Sequence, residues 1–370
     1  MYIHRVVLKG IPGVPDHDLT FYDNWAERPL RNVLLSGPNG IGKSTILRAI
    51  ALLWENFDEW LRRGKPLSES QHNQRGVLAE AELIAVEVRD LQLSETPDLP
   101  SLVPEDPRIE LKLPSIWLYI TRSEKALKFI ETAAADSFSI GEQRGKRGKP
   151  KLSRKPEAES FTVLAGWAEY LQLGAFDEML RLPNLLFLEA ETRQIVRPTA
   201  RPKPAPEALY RWLVTYSASD RAESHIEAML RNHKIRSPER FQETLAHINR
   251  FLEQNGKRLT DFDDNLRLLV QVGSGKARTT HFLEALSSGE RQVVLLIFMV
   301  SRWLMQGGVV LIDEPDLHMH GSWQRTLIHE LNRLVADKEG QLIIASHAEL
   351  VAQEYAPSQR FAMDFEGQPA

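Results

Sequence analysis

The stretch "GPNGIGKST", Gly37 to Thr45, constrains the chain most, because it fits G-x-x-x-x-G-K-[ST] and lies where such a loop must lie. The short apolar strand "NVLLS", Asn32 to Ser36, precedes it. After it, Ile46, Leu47, Ile50, Leu53, Trp54, Phe57 and Leu61 fall at helical spacing up to a stop near Gly64. A glycine-rich turn between a buried strand and a helix lets backbone N–H groups converge on a phosphate at the helix N-terminus. Gly37, Pro38, Asn39, Gly40, Gly42 and Thr45 are therefore expected to line a nucleotide site. Lys43 is expected to reach the β- and γ-phosphates, and Ser44 to ligate Mg2+.

Two further strands end in chemistry. "VVLIDEP", Val309 to Pro315, is a buried-type strand that closes on two adjacent carboxylates. Asp313 can hold Mg2+ through water, and Glu314 can orient and deprotonate a water for attack on a γ-phosphate. The plainer alternative is an N-cap pair for the next helix, although adjacent acids at a sheet edge are costly without a cation. "LIIASH" ends in His347, which is either structural or a switch residue that senses the γ-phosphate.

Composition narrows the setting. The 370 residues contain no cysteine, which removes disulfides, cysteine-ligated zinc and thiol catalysis, and fits a reducing cytosol. The longest apolar run, Val293 to Val300, is far shorter than the roughly 20 residues that span a bilayer, and "MYIHRVVLKG" alternates like a strand rather than a signal peptide. A cytoplasmic protein without membrane insertion is expected. Net charge is −4, yet "RGKRGKPKLSRK", Arg144 to Lys155, packs seven basic residues and no acidic one into twelve positions. It reads either as a solvated loop or as a contact to a DNA or RNA backbone.

Along the chain, Ile3–Leu8 and Asp18–Tyr22 read as strands around a Gly/Pro turn. "LIAVEV", "RIELKL" and "IWLYIT" alternate, which predicts a largely antiparallel sheet between Gly76 and Thr132. A helix is expected near Val163 to Leu180, then the strand "NLLFLEAETRQI", then a Pro/Arg-rich linker from Ile195 to Glu207. A helical unit follows, in which Ser237 caps, Pro238 starts, and Phe241, Leu245, Ile248 and Leu252 form the stripe up to Gly256. Buried strands alternating with helices imply a parallel α/β core.

"EALSSGERQVVLLIF", Glu284 to Phe298, opens a long apolar helix with a capping-box pattern, Ser287 and Glu290 three residues apart. Gly289 in the first turn costs roughly 1 kcal/mol of helix propensity against Ala. Its missing side chain makes sense if an anion approaches the helix N-terminus closely.

Taken in order, the P-loop, "LSSGE", "LIDEPD" and the final "SH" resemble an ABC-type ATPase core, most closely its branch of SMC, RecF and OLD-type ATPases. The resemblance implies an α/β P-loop head with a mixed sheet, an antiparallel β lobe and a short inserted helical arm. It divides the chain into residues 1–200 and 261–370 for the head and 201–260 for the arm. It further implies that Ser288 and Gly289 bind the γ-phosphate of an ATP held on a second copy's P-loop, so that two chains close around two ATP molecules. By the same resemblance Asp316 to His320 form the D-loop, His347 is the switch histidine, and Gln194 is the Q-loop candidate, with Arg193 able to substitute. Gly321 departs from the proline that usually follows the second D-loop histidine in OLD-like proteins.

These features lead to the expectation of an ATP-hydrolysing enzyme with Mg2+ that clamps or senses nucleic acid or a partner protein. Only 23 residues follow His347, too few for the Toprim nuclease of OLD enzymes, so a separately encoded nuclease or toxin is expected, in anti-phage defence or DNA repair. Two alternatives stay open: a transporter's nucleotide-binding subunit, which the roughly 240 residues between Lys43 and Ser287 disfavour, and a scaffold that holds ATP without turnover.

Overall fold

The computed structural model describes residues 1–68, 76–93, 111–145, 149–155, 183–193, 211–216, 226–273, 275–317 and 319–364. Two six-stranded sheets enclose the helix Lys43–Arg63. The first is wholly parallel, in the order Leu213–Thr215, Leu185–Leu188, Val309–Asp313, Gln341–Ser346, Asn32–Ser36, Arg360–Ala362. Its strands are apolar at successive positions because both faces are covered. Val309 and Leu311 join the core around the Lys43–Arg63 helix, while Val310 and Ile312 join the core around the helix Ser288–Trp303. The Lys43–Arg63 helix ends as the sequence predicts, on Gly64 in the left-handed conformation, with its N–H donated to Trp60 O.

The second sheet runs His17–Thr20, Tyr2–Lys9, Leu83–Leu93, Leu111–Thr121, Phe138–Gln143, Lys151–Lys155. All neighbours in it are antiparallel except Leu111–Thr121 with Phe138–Gln143. The helix Glu124–Ala133 makes the crossover that a parallel pair needs.

Several expectations change. "RIELKL" and "IWLYIT" are not two strands: Leu111–Thr121 is one, running through Pro114. Proline survives there because, among the described residues, only Leu83–Leu93 pairs with that half of the strand; Phe138–Gln143 begins its pairing at Ile116. Ser237 precedes Pro238 at the start of the helix Pro238–Leu252, as expected, but makes no side-chain cap. "LRLLVQV" lies in a three-stranded antiparallel sheet, Lys257–Phe262, Leu268–Val272, Thr279–Phe282, whose outer strands carry too little alternation to be predicted. The helices Ile226–Arg236 and Pro238–Leu252 pack against the Ser288–Trp303 helix and share its core through Ile226, Leu230, Phe241 and Ile248. The helix expected near Val163 to Leu180 and the linker from Ile195 lie outside the described residues.

The basic run is the main correction. Arg144 is buried, pairs with the fully buried Glu142 at 2.7 Å, and donates to Leu67 O at 3.0 Å. Glu142 also accepts from Trp60 Nε1 and Leu67 N. Arg144 is therefore an interior counter-ion and not a phosphate contact. Lys151–Lys155 is an edge strand, with Lys155 paired to Glu131 at 3.0 Å, and residues 146–148 lie outside the described residues. Arg144→Ala is expected to lower unfolding free energy by about 3–5 kcal/mol, since it strands a buried carboxylate. Lys149→Ala, on an exposed residue, should stay within about 0.5 kcal/mol. Chemical denaturation of both variants checks the contrast.

Candidate active site

The carboxyl ends of the parallel strands converge on the P-loop. Asn32–Ser36 leads into Gly37, and the helix begins at Lys43 with Gly42 as its N-cap. Gly37 and Gly42 hold φ of 143° and 100°, and each is packed from behind. A Cβ on Gly37 would lie 2.5 Å from Met363 O, and one on Gly42 2.5 Å from Val14 Cγ1. His17 supports the same turn, its Nε2 3.1 Å from Ile41 O. Pro38, Asn39 and Gly40 form the exposed tip.

Lys43 folds over this loop and donates to Gly37 O at 2.8 Å and Pro38 O at 2.9 Å. Burial pushes its ammonium below the ordinary lysine value, against the pull of Glu314, Asp313 and Asp316. Ser44 Oγ donates to Asp313 Oδ1 at 2.8 Å. Asp313 is buried, and burial pushes its carboxyl up, against the Ser44 hydrogen bond and the charges of Arg193 and Arg48. These oxygens are hard donors suited to Mg2+.

Beside Asp313, Glu314 takes φ 46°, uncommon for a residue with a side chain. Its N–H donates to Ala345 O at 2.8 Å, and its Oε2 lies 2.7 Å from His347 Nδ1. Burial, then the neighbouring Asp316, pushes Glu314 up, while His347 and Lys43 pull it down. Asp316 accepts from Ser346 Oγ at 2.6 Å. Glu314, Asp316 and His347 offer ligand atoms within 4.8 Å of one another. The alternative of Asp313 and Glu314 as a mere cap pair does not describe this arrangement, since the helix Gly321–Ala336 starts well beyond them with His320 as its N-cap.

Strand register adds residues that sequence reasoning missed. Leu188 pairs with Ile312, so Glu189 stands level with Asp313. Glu189 accepts from Arg48 Nε, and Arg48 also pairs with Glu191 at 3.4 Å. Arg48 follows Ser44 by one helical turn, the only sequence hint that it shares this face. Gln194 lies outside the described residues. Arg193, in contrast, is buried and donates to Leu188 O at 3.2 Å and Glu314 O at 2.7 Å.

The segment Ser287–Glu290 stands on other elements. Ser287 caps the Ser288–Trp303 helix with a full capping box: its hydroxyl accepts from Glu290 N, and Glu290 accepts from Ser287 N at 2.8 Å. Glu290 is buried and also takes Lys257 Nζ at 2.7 Å, which ties the helix start to the three-stranded sheet. Ser288 is exposed and Gly289 buried. Among the described residues, no hydrogen bond or ion pair links Ser287–Glu290 to the P-loop of the same chain.

The family profile described as "AAA domain, putative AbiEii toxin, Type IV TA system" matches residues 126–352, more than half of the chain. The chain belongs to this AAA-domain family. The matched range takes in Ser288, Asp313, Glu314 and His347, while the P-loop precedes it. Among curated relatives, the chain is 35% identical over 77 residues to the retron Vc95 probable ATPase of Vibrio cholerae, covering 18% of this chain and 15% of that one. It is 38% identical over 74 residues to the retron Ec83 probable ATPase of Escherichia coli, covering 17% and 13%. It is 32% identical over 100 residues to the lipoprotein-releasing system ATP-binding protein LolD 1 of Rhodopirellula baltica, covering 27% and 42%. The matches thus span less than half the length of these relatives. An SMC head crystallised with the C-winged helix domain of ScpA superposes over 100% of this chain and 96% of that one, with TM-score 0.50 and 14% identity. This AAA-domain chain therefore has the α/β fold of an ABC/SMC-type ATPase head. No helix among the described residues is long and apolar enough to cross a membrane.

Proposed function

We propose that this AAA-domain protein binds ATP with Mg2+ at its P-loop and hydrolyses it in a dimer that closes around two nucleotides. The carrying observation is the single cluster of Lys43, Ser44, Asp313, Glu314 and His347 at the edge of the parallel sheet. Bound between Ser44 and Asp313, Mg2+ would neutralise phosphate charge. Lys43 turns from its two carbonyls to the β- and γ-phosphates. Glu314 draws the proton from the attacking water, and His347, hydrogen-bonded to the same carboxylate, reports whether a γ-phosphate is present.

Ser288 and Gly289 supply the second half of the site from the other copy. An exposed serine at the first turn of a capped helix, beside a glycine, presents free N–H groups and the positive end of the dipole to an anion. Ser288→Arg should leave ATP affinity within a few-fold while ATP-dependent dimerisation, read by light scattering, disappears along with turnover. Dimers that form equally well in that variant, or without nucleotide, would overturn the closed-dimer reading.

The retron ATPase relatives favour a role beside a separately encoded effector in anti-phage defence over one in DNA repair. The stretch shared with LolD 1 keeps a transporter-type partner as the second reading. Affinity purification from host cells separates them: a nuclease or toxin supports the first, a permease the second. Among the described residues, the exposed members Lys149, Lys151 and Lys155 are the ones that could carry a nucleic-acid contact through the basic run, without Arg144.

A further inference from the structure

We propose that Arg193 is a positioning residue that sets the reactive conformation of Glu314. The inference rests on the reading of Glu314 as the base. Arg193 is 3% exposed, and its guanidinium reaches two carbonyls that end adjacent strands. Nη1 donates to Leu188 O at the end of Leu185–Leu188, and Nη2 donates to Glu314 O just past Val309–Asp313. One rigid fork therefore bridges two strand ends, a geometry that a flexible ammonium does not reproduce.

The bridged peptide is the unusual one. Glu314 sits at φ 46°, where an L-residue is held only if its surroundings over-determine it. Its N–H is fixed by Ala345 O, and its C=O accepts from Arg193 at 2.7 Å and, more weakly, from Leu317 N at 3.4 Å, so both main-chain polar groups of the residue are anchored. From this conformation the carboxylate meets His347 Nδ1 at 2.7 Å. Without the guanidinium, only the longer Leu317 N–H bond holds that carbonyl, so the backbone can relax toward negative φ and carry the carboxylate away from the position that it shares with His347.

Charge alone does not account for the arrangement. Asp313, Asp316, Glu314 and Glu189 all act on the guanidinium, so it does neutralise a crowded acidic edge. A neutralising cation, however, has no need to direct a 2.7 Å hydrogen bond at the main-chain carbonyl of the proposed base. Arg193 therefore acts through Glu314, not on the nucleotide.

The test compares Arg193→Lys, Arg193→Gln and Glu314→Gln in the full chain, with ATP turnover, affinity for a fluorescent ATP analogue and unfolding temperature measured for each. Arg193→Lys keeps the charge and loses the fork. It should lower kcat by about 10–100-fold while KM and analogue affinity stay within about threefold, since misplacing a reacting group costs rate rather than binding. Arg193→Gln should lower kcat at least as much. Full kcat in Arg193→Lys would mean that only the charge matters and would overturn the proposal. So would a loss confined to KM, or a fall in turnover matched by a fall in the folded fraction. Wild-type turnover in Glu314→Gln would instead remove the base reading itself, a result separable from any outcome at Arg193.

Discussion

Glu314→Gln should hold the protein as an ATP-bound dimer, with turnover reduced about 10²–10⁴-fold, the usual span for loss of a general base. The amide keeps the size and the hydrogen bond toward His347 but cannot take a proton from water. ATP binding should persist, because Lys43, Ser44 and Asp313 are untouched. In the wild-type protein the dimer should decay as ATP is consumed; in the variant it should outlast the nucleotide supply. Size-exclusion chromatography with light scattering, run beside a phosphate-release assay, reads both. Wild-type hydrolysis would remove Glu314 as base, and a variant that hydrolyses nothing yet stays monomeric with ATP would separate catalysis from dimerisation.

Lys43→Ala should weaken ATP binding by roughly 100-fold or more, about 3 kcal/mol, as expected for a buried charge-assisted contact to phosphate. The ligand-free protein should unfold at nearly the wild-type temperature. Lys43 is buried at a cost to its charge and, among the described residues, donates to two loop carbonyls, Gly37 O and Pro38 O, at the P-loop. Calorimetric titration with ATP and a thermal melt together make the test. Unchanged affinity would sink the nucleotide-site assignment, and a collapsed melting temperature would make Lys43 structural.

Much of this was legible in the sequence because the features concerned are local. The strands Asn32–Ser36, Val309–Asp313 and Gln341–Ser346 have apolar middles, and each runs into chemistry-bearing residues: the P-loop from Gly37, Asp313 with Glu314, and His347. The capping box at Ser287 and Glu290 depends on a spacing of three, which is visible without any fold. Contacts that depend on strand register were hidden, even where the residue itself, Arg193, stood out as a Q-loop alternative. Glu189 meets Asp313, and Arg193 meets Glu314, only because Leu185–Leu188 lies beside Val309–Asp313, more than a hundred residues later. Composition misled at Arg144. A basic run looks solvated or phosphate-seeking, but its first member faces inward to Glu142, two residues earlier on the sheet.

The bond from Lys257 to Glu290 joins the three-stranded sheet to the first turn of the signature helix. In the proposed dimer, that bond would couple the sheet to the helix start. A binding partner that grips Lys257–Phe262 and favours one setting of the helix start would change how well two copies share ATP. By thermodynamic reciprocity, ATP would change the partner's affinity by the same factor. An effector could thus be armed or released by nucleotide without touching it. The strength of that linkage could be measured as the shift in partner affinity between ATP-bound and ADP-bound protein.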